Sequence, residues 1–408
     1  MSLYMKLAWR NIFRNKRRTI IASVAIGLGL ASLIYFDALV IGMEENMVKS
    51  ATESFMGEGQ IHHAKFREGY EVENTIHNAD SIISSLRRES IVRNFSERTI
   101  AFSMITSPAN VSAVSMVGID PDREKYMSQI DDAIVEGAYF ESDDRHDIVI
   151  GSKLAEILEV ELGDRIVLTS TQAETGDLSQ EMFRISGIYH FNIDELDRSM
   201  AFIHLDKAQE MLGLDGRVHE IALKFTDPNL ARDRDLPFWK KYSQNGNEAV
   251  GWTILLPQLD AALKLSQFSA LLLGLILFGI ISLGIINTLF MSLHERMFEF
   301  GVLRAVGTRP LAMGKLILYE GGSLALIAII LGTILGFIAT YITIQIGIDY
   351  SGIEFAGATF KDLLYPVLTV MQFIKYPILV FILTIIIAAY PARYAAKMKP
   401  AEAMRKSF

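Results

Sequence analysis

Four long apolar stretches constrain the fold of this chain more than any other feature of its 408 residues. They cover residues 19–42, 268–293, 316–346 and 376–392. A helix needs about 20 residues to cross a hydrocarbon core about 30 Å thick, so each stretch predicts a transmembrane helix. The first stretch is too long for the apolar region of a signal peptide, and no small-residue cleavage site follows Ile41. We therefore expect this helix to be retained.

The interval of residues 43–267 predicts one large α+β domain between the first two helices. Short β-like runs alternate there with helical stretches. The predicted strands include Asp147–Ile150, Arg165–Thr169, Phe183–Ile188, Met200–His204 and Glu220–Phe225, and the predicted helices include Ser152–Leu158 and Asp206–Leu212. The expected fold class is a membrane protein with four transmembrane α-helices and a large extracytoplasmic α+β domain inserted between helices 1 and 2.

The distribution of lysine and arginine predicts the orientation in the membrane. Segments 1–18, 294–315 and 393–408 carry fifteen basic residues against Glu295, Glu299 and Glu402. The basic residues are Lys6, Arg10, Arg14, Lys16, Arg17, Arg18, Arg296, Arg304, Arg309, Lys315, Arg393, Lys397, Lys399, Arg405 and Lys406. Because basic loops stay in the cytoplasm, we expect both termini there. The 43–267 domain and the short 347–375 loop are then expected on the extracytoplasmic side.

The charge balance and the absence of cysteine narrow the function. The net charge is −8, so the part outside these basic segments carries about −20, which argues against nucleic acid as a partner. Without cysteine, disulfides and thiolate nucleophiles are excluded.

The N-terminal segment 1–18 predicts an amphipathic helix on the membrane surface. Its apolar residues Met5, Trp9, Ile12 and Phe13 recur at helical spacing. The opposing positions carry Lys6, Arg10, Arg14 and Arg17, which would attract anionic membrane lipids. A basic stop-transfer flank that only sets the topology is the alternative interpretation.

Residues 294–310, HERMFEFGVLRAVGTRP, predict a short helix that Gly307 ends, with Pro310 beyond it. The candidate docking residues of this segment combine charges with exposed apolar side chains. They are Glu295, Arg296, Phe298, Glu299, Phe300, Leu303 and Arg304. Mixed charges beside exposed aromatic rings indicate a docking surface for a soluble partner.

Three stretches resemble the conserved segments of FtsX-like, MacB-type (type VII) ABC transporter permeases. They are KLAWRNIFRNKRRT, HERMFEFGVLRAVGT and YPARYAAKMKPAEAMR. The order of one span, a large domain and three further spans also agrees with this family. The resemblance implies that residues 295–304 form a coupling helix that enters a groove on a cytosolic ABC ATPase.

The chain lacks a nucleotide-binding motif of its own. A Walker A loop requires G-x-x-x-x-G-K-[ST], whereas Gly314-Lys315 is followed by Leu316 and has no glycine five residues upstream. We therefore expect no catalytic residue, no metal and no cofactor in this chain. ATP and Mg would be bound by a separate ATPase, although some relatives carry a fused N-terminal nucleotide-binding domain.

The domain also resembles that of the lipoprotein-releasing (LolC/LolE-type) permeases. The stretches GIDPDREKYMSQIDDAIVEGAYFE, DIVIGSKLAEILEVELGDRIVL and RSMAFIHLDKAQEML carry this likeness. It implies a bacterial inner membrane with the 43–267 domain in the periplasm. It also implies a lipoprotein substrate, a second permease copy or paralogue, and a periplasmic carrier. Open alternatives are a MacB-like exporter of peptides or antibiotics that works with an adaptor, and an FtsX-like mechanotransmission protein that regulates a cell-wall hydrolase.

The first and second spans are the expected walls of an apolar substrate cavity, because they carry few polar residues. The candidate lining residues are Tyr35, Phe36, Leu39, Phe268, Leu272 and Leu275. Asp37 and Glu320 lie within predicted spans, where an ionisable group is costly. We expect a snorkelling or hydrogen-bonded structural role there, with a role in the substrate path as the alternative. Gly332 and Gly336 predict a close helix contact, which we expect within the subunit.

The inserted domain offers little that indicates catalysis. His62 and His63 are adjacent and would point to opposite faces of a strand. The acidic pairs Asp131-Asp132 and Asp143-Asp144 lie in turn-rich sequence and are expected to form solvated loops.

Overall fold

The computed structural model describes residues 3–140, 144–191, 193–349, 354–355, 358–359 and 363–397. Among these residues, four helices are long and apolar enough to cross a membrane. The chain divides into two compact units. The membrane unit comprises the described residues of Met1–Glu45, Lys264–Asp349 and Leu363–Phe408, and the inserted unit those of Asn46–Leu263 and Tyr350–Asp362. This arrangement confirms the predicted fold class.

The long helices extend past the apolar stretches that identify them. They are α2 (Lys16–Ala51), α11 (Pro257–Glu295), α13 (Pro310–Ile346) and α14 (Gln372–Lys397). Hydropathy marks only the part of a helix that suits hydrocarbon, whereas the helix continues until its backbone is interrupted. Pro310 occupies the first turn of α13, and Gly347 ends it with φ +72°. The tail residues Lys399, Glu402, Arg405 and Lys406 lie outside the described residues.

The shorter helices precede α2, lie in the inserted unit or connect the long helices. They are α1 (Leu3–Ile12), α3 (Phe66–Gly69), α4 (Ala79–Leu86), α5 (Pro121–Glu124), α6 (Ser152–Leu158), α7 (Asp194–Ser199), α8 (Leu205–Leu212), α9 (Pro237–Tyr242), α10 (Trp252–Leu255) and α12 (Met297–Ala305). Turns of 3₁₀ helix cover Phe13–Asn15 and Pro228–Arg232, and a π-helical turn covers Thr52–Met56.

A mixed ten-stranded sheet forms the centre of the inserted unit in the described residues. Its strands are β1 (Gly59–His63), β2 (Val92–Thr106), β3 (Val111–Ile119), β4 (Ile134–Gly137), β5 (Asp147–Gly151), β6 (Arg165–Thr171), β7 (Leu178–Tyr189), β8 (Met200–His204), β9 (Glu220–Phe225) and β10 (Asn247–Gly251). Their order is β10-β1-β9-β2-β3-β8-β5-β7-β4, with β6 pairing with β2 and β7. Two short strands, β11 (Glu354–Phe355) and β12 (Ala358–Thr359), pair with each other. The five predicted strands are all present.

A buried ion cluster connects β2, α5 and β9 in the inserted unit. Arg98 is fully buried and donates to both carboxylate oxygens of Glu124, at 3.1 and 2.6 Å. It also donates to Glu220 at 2.9 Å and lies 4.1 Å from the centre of the Phe55 ring. Two carboxylates thus contact one guanidinium, so each of these buried charges has an oppositely charged partner.

His219 is buried beside this cluster as a neutral ring. The backbone N–H of Ile100 donates to its Nδ1 at 3.0 Å, so the ring proton is on Nε2, which donates to the carbonyl of Val72 at 2.8 Å. The ring stacks on Phe66 at 4.9 Å. Burial lowers the pKa of His219 to about 4, although the hydrogen bond to Val72 opposes this shift.

Small residues bring α2 and α13 into close contact in the membrane unit. A Cβ added at Gly332 would lie 2.6 Å from the carbonyl oxygen of Gly27, and one at Gly336 would lie 3.2 Å from the Cα of Ala31. The predicted small-residue face therefore packs within the subunit.

The burial of His219 predicts a pH-dependent stability of the inserted unit. Its pKa is about 4 when folded and about 6.5 when unfolded, so this contribution is complete above about pH 6.5 and is lost as the pH falls towards 4. The loss amounts to about 3 kcal/mol. Urea unfolding in detergent can be followed by Trp239 and Trp252, both buried in this unit, in a Trp9→Phe background. His219→Gln should be less stable at pH 7 but vary less between pH 7 and 4, and an equal pH dependence would contradict the assignment.

The contact of α2 with α13 predicts a position-specific cost of added methyl groups. Gly332→Ala should lower the free energy of unfolding by about 1–3 kcal/mol, because the new Cβ overlaps the α2 backbone. Gly279→Ala on α11 is the matched control, since its Cβ would meet no atom within 4 Å. Unfolding by SDS in mixed micelles, followed by circular dichroism, measures both. Equal effects of the two substitutions would refute the proposed contact.

Candidate functional site

The connection between α11 and α13 forms the short helix α12, as predicted. Arg296 interrupts α11 with φ −115°, and α12 follows from Met297 to Ala305. Gly307 then adopts φ +99°, and the N–H of Thr308 donates to the carbonyl of Leu303 at 3.0 Å. This left-handed cap lets Pro310 start α13 directly.

A largely buried ion pair anchors the start of α12 to α13. Arg296 donates to both carboxylate oxygens of Glu320 at 3.3 Å and to Glu299 at 3.1 Å. Ser292 on α11 donates to Glu320 at 3.2 Å. Only 6% of the Glu320 side chain and 11% of that of Arg296 are exposed. Glu320 therefore has the hydrogen-bonded structural position expected from the sequence.

Two further ion pairs link this anchor to the N-terminal region. Arg14 contacts Glu299 at 2.6 Å, and Arg18 contacts Glu295 at 2.5 Å. Partial burial raises the pKa of Glu299, but hydrogen bonds from Arg14 and Arg296 outweigh it and lower the pKa below its ordinary value. The charged residues proposed for docking are thus engaged in contacts within the membrane unit.

Phe300 is buried, so the prediction that it is exposed for docking is wrong. Only 1% of its surface is accessible, and it packs in a cluster with Leu293, Met313, Leu316 and Ala392. The Arg296 guanidinium lies 5.0 Å from its ring centre. The side of α12 that carries Phe300 faces the other helices. The sequence of a nine-residue helix does not define which of its sides is packed.

Five large apolar side chains are exposed on α12, the turn after it and the start of α13. Phe298 and Leu303 are exposed as predicted, at 49% and 41%. The sequence reasoning missed Val302, Val306 and Leu311, of which Val306 is 83% and Leu311 78% exposed. Phe298, Val302 and Val306 recur every four residues, so the sequence places them on one face of the helix but does not tell whether this face is packed or exposed. We call Phe298, Val302, Leu303, Val306 and Leu311 the apolar docking face. Arg304 donates to the carbonyl of Thr308 at 3.2 Å instead.

The N-terminal helix α1 presents an exposed apolar stripe. Met5, Trp9 and Phe13 are about half exposed, and the rings of Trp9 and Phe13 meet at 5.4 Å. Ile12 is buried instead of lying on this stripe. Arg10 and Arg14 are exposed, so the stripe retains basic residues beside it. This pattern suits a helix at a membrane surface.

A cavity of about 500 Å³ lies between α2, α11 and α14 in the membrane unit. Of the six residues proposed from the sequence, Phe36 and Leu275 line it, whereas Tyr35, Leu39, Phe268 and Leu272 do not. Tyr35 accepts a hydrogen bond from Thr343 at 3.3 Å. The other lining residues are Leu33, Asp37, Val40, Ile41, Glu44, Gln267, Ala270, Leu271, Gly274, Phe278, Lys375, Tyr376 and Leu379.

Polar side chains make this cavity less apolar than the sequence suggested. The Tyr376 hydroxyl donates to Asp37, and Gln267 donates to Glu44 at 3.1 Å. Lys375 also lines the cavity. The contribution of α14 could not be foreseen, because no local pattern indicates which helices become neighbours.

The inserted unit contains a serine–histidine–aspartate cluster that lacks the geometry of a catalytic triad. The Ser152 hydroxyl lies 2.8 Å from Nδ1 of His190, and a carboxylate oxygen of Asp197 lies 3.0 Å from the same nitrogen. A proton relay needs the two partners on different ring nitrogens. This cluster therefore does not activate Ser152 as a nucleophile.

The other polar groups considered in the sequence do not form a recognisable centre either. Within the residues that the structure describes, no group of three metal-ligating side chains occurs. His62 and His63 are adjacent on β1, and Asp131 and Asp132 lie in a turn. Asp143 lies outside the described residues.

Comparison with known proteins agrees with this architecture. Residues 19–233, more than half of the chain, match the MacB-like periplasmic core domain, and residues 271–400 match the FtsX-like permease C-terminal family. The lipoprotein-releasing system transmembrane protein LolC of Xylella fastidiosa is 26% identical over 312 residues, covering 71% of this chain and 72% of that protein. LolE of Haemophilus influenzae is 21% identical over 419 residues, covering 98% of each.

Among solved structures, the periplasmic region of MacB from Actinobacillus actinomycetemcomitans has a TM-score of 0.34 and 12% identity, covering 50% of this chain and 92% of that chain. A similarity at this level adds nothing to the assignment, which rests on the two family matches. The chain therefore belongs to the FtsX-like, MacB-type family of ABC transporter permeases.

Proposed function

We propose that this chain is the permease subunit of an ABC transporter that extracts lipoproteins from the inner membrane for transfer towards the outer membrane. One observation carries the coupling part of the proposal: α12 is anchored by buried charges, while its apolar docking face is exposed. The cargo is proposed because LolC and LolE, which are lipoprotein-releasing proteins, are similar along much of the chain.

The proposed motor is a separate cytosolic ABC ATPase that binds ATP and Mg and docks on α12. The basic segments of the chain support a cytoplasmic position for both termini and α12. Burial of Phe298 and Val306 against a groove would drive docking through the hydrophobic effect. Because Glu295, Glu299 and Arg296 are already paired within the membrane unit, they would transmit the motion of the ATPase to α2 and α13.

The lipid chains of the cargo would occupy apolar surface of α2 and α11. Both helices expose large apolar side chains, such as Leu28 on α2 and Phe268 and Leu272 on α11. A second permease copy or a paralogue would close a shared cavity there, and its closure would move the lipid towards the inserted domain. A periplasmic carrier would then accept the lipoprotein.

Substitution of the apolar docking face tests the coupling part. Phe298→Asp and Val306→Asp should each reduce co-purification of the ATPase by roughly tenfold or more, because an aspartate at an interface anchor must be desolvated. Val135→Asp, at an exposed apolar position of β4, is the matched control and should retain the ATPase. Retention of the ATPase by both the Phe298→Asp and the Val306→Asp variant would disprove the docking site.

The proteins that co-purify with the complex test the cargo. Mass spectrometry should find triacylated proteins with the wild-type complex and fewer of them with Leu272→Trp, which adds bulk to the proposed cargo surface of α11. Leu283→Trp, at an exposed position on α11 outside the cavity lining, is the control. A tripartite adaptor or a cell-wall hydrolase without any lipoprotein would instead contradict lipoprotein release and favour export or signalling.

A further inference from the structure

The cavity between α2, α11 and α14 has a polar end and an apolar end. Along α2 its lining runs from Leu33 to Glu44, a rise of about 16 Å. α11 contributes residues from Gln267 to Phe278. The charged lining residues lie in the C-terminal part of α2 and at the start of α14. Leu33, Phe278 and Leu379 lie at the other end of the lining, so the cavity is polar at one end and apolar at the other.

Both signs of charge face this one cavity. Asp37 and Glu44 supply carboxylates, and Lys375 supplies an ammonium group. The Tyr376 hydroxyl and the Gln267 amide add hydrogen-bonding groups beside the two carboxylates. Charged groups are costly within a membrane span and are therefore best explained by partners of complementary charge.

We propose that this cavity binds one zwitterionic phospholipid with a primary ammonium group, of the phosphatidylethanolamine type. The lipid ammonium would donate to Glu44, and Lys375 would donate to its phosphate. An acyl chain would extend along the apolar lining formed by Phe36, Leu275 and Leu379. The volume of about 500 Å³ lies within the usual range for ligand pockets.

The charge pattern distinguishes this lipid from other occupants. An anionic phospholipid would place its phosphate near two carboxylates without an ammonium to compensate. A choline headgroup has a positive charge but no N–H group to donate. The acylated N-terminus of a triacylated lipoprotein is an uncharged amide, so it cannot satisfy the carboxylates. The site is therefore distinct from the cargo surface proposed above, and the inference does not depend on lipoprotein release.

Lipid binding to the purified complex tests the inference directly. The complex is exchanged into nanodiscs that contain equal amounts of phosphatidylethanolamine, phosphatidylglycerol and phosphatidylcholine, released into detergent, and analysed by native mass spectrometry. We expect one retained phosphatidylethanolamine per chain, with about tenfold less of the other two lipids. Equal retention of the three lipids, or a preference for phosphatidylglycerol, would overturn the proposal.

Variants identify the cavity as the binding site. Lys375→Met and Glu44→Gln should each reduce retained phosphatidylethanolamine by about tenfold, since each removes one charge-assisted contact. Lys397→Met removes the same charge from the other end of α14 and should retain the lipid. Gly274→Leu adds bulk to the cavity wall at a position where a Cβ meets no atom within 4 Å, so it should displace the lipid without disturbing the helix. Undiminished retention in Lys375→Met and Gly274→Leu would place the lipid elsewhere and refute the site.

Discussion

The ion pair between Arg296 and Glu320 is the contact on which the arrangement of α12 depends. It joins the first residue after α11 to the interior of α13, where the Glu320 side chain is 6% exposed. Removing one partner of a buried pair typically costs about 3–5 kcal/mol, because the other charge stays buried without compensation. Arg296 and Glu320 therefore hold α12 in one orientation, and this orientation determines which side chains face outward.

The contacts around this pair form one connected network in the membrane unit. Arg14 and Arg18 extend it to the N-terminal helices through Glu299 and Glu295. The glycine contacts of Gly332 and Gly336 keep α13 against α2 along the membrane segment. In the proposed function, a force that the ATPase applies to the apolar docking face would reach α2 and α13 through these contacts. The cavity between α2, α11 and α14 adjoins α2, one of the two helices that would receive this force.

Local features of the fold could be predicted from the sequence. The four apolar stretches, the five strands and the glycine cap at Gly307 each depend on a pattern within a few residues. The burial of Phe300 could not be predicted, because a nine-residue helix has no pattern that tells its packed side from its exposed side. The participation of Lys375 and Tyr376 in the cavity was missed for a related reason: it depends on α14 lying beside α2 and α11.

The central claim is that α12 transmits force through the Arg296–Glu320 pair. The most direct test of this claim is the number of lipoproteins released per ATP hydrolysed. The complex with Glu320→Gln, which keeps the shape of the side chain but removes its charge, is compared with wild type in proteoliposomes. The account predicts that ATP hydrolysis continues while release per ATP falls by about tenfold or more. Unchanged release per ATP in this variant, with the same amount of ATPase bound, would contradict it.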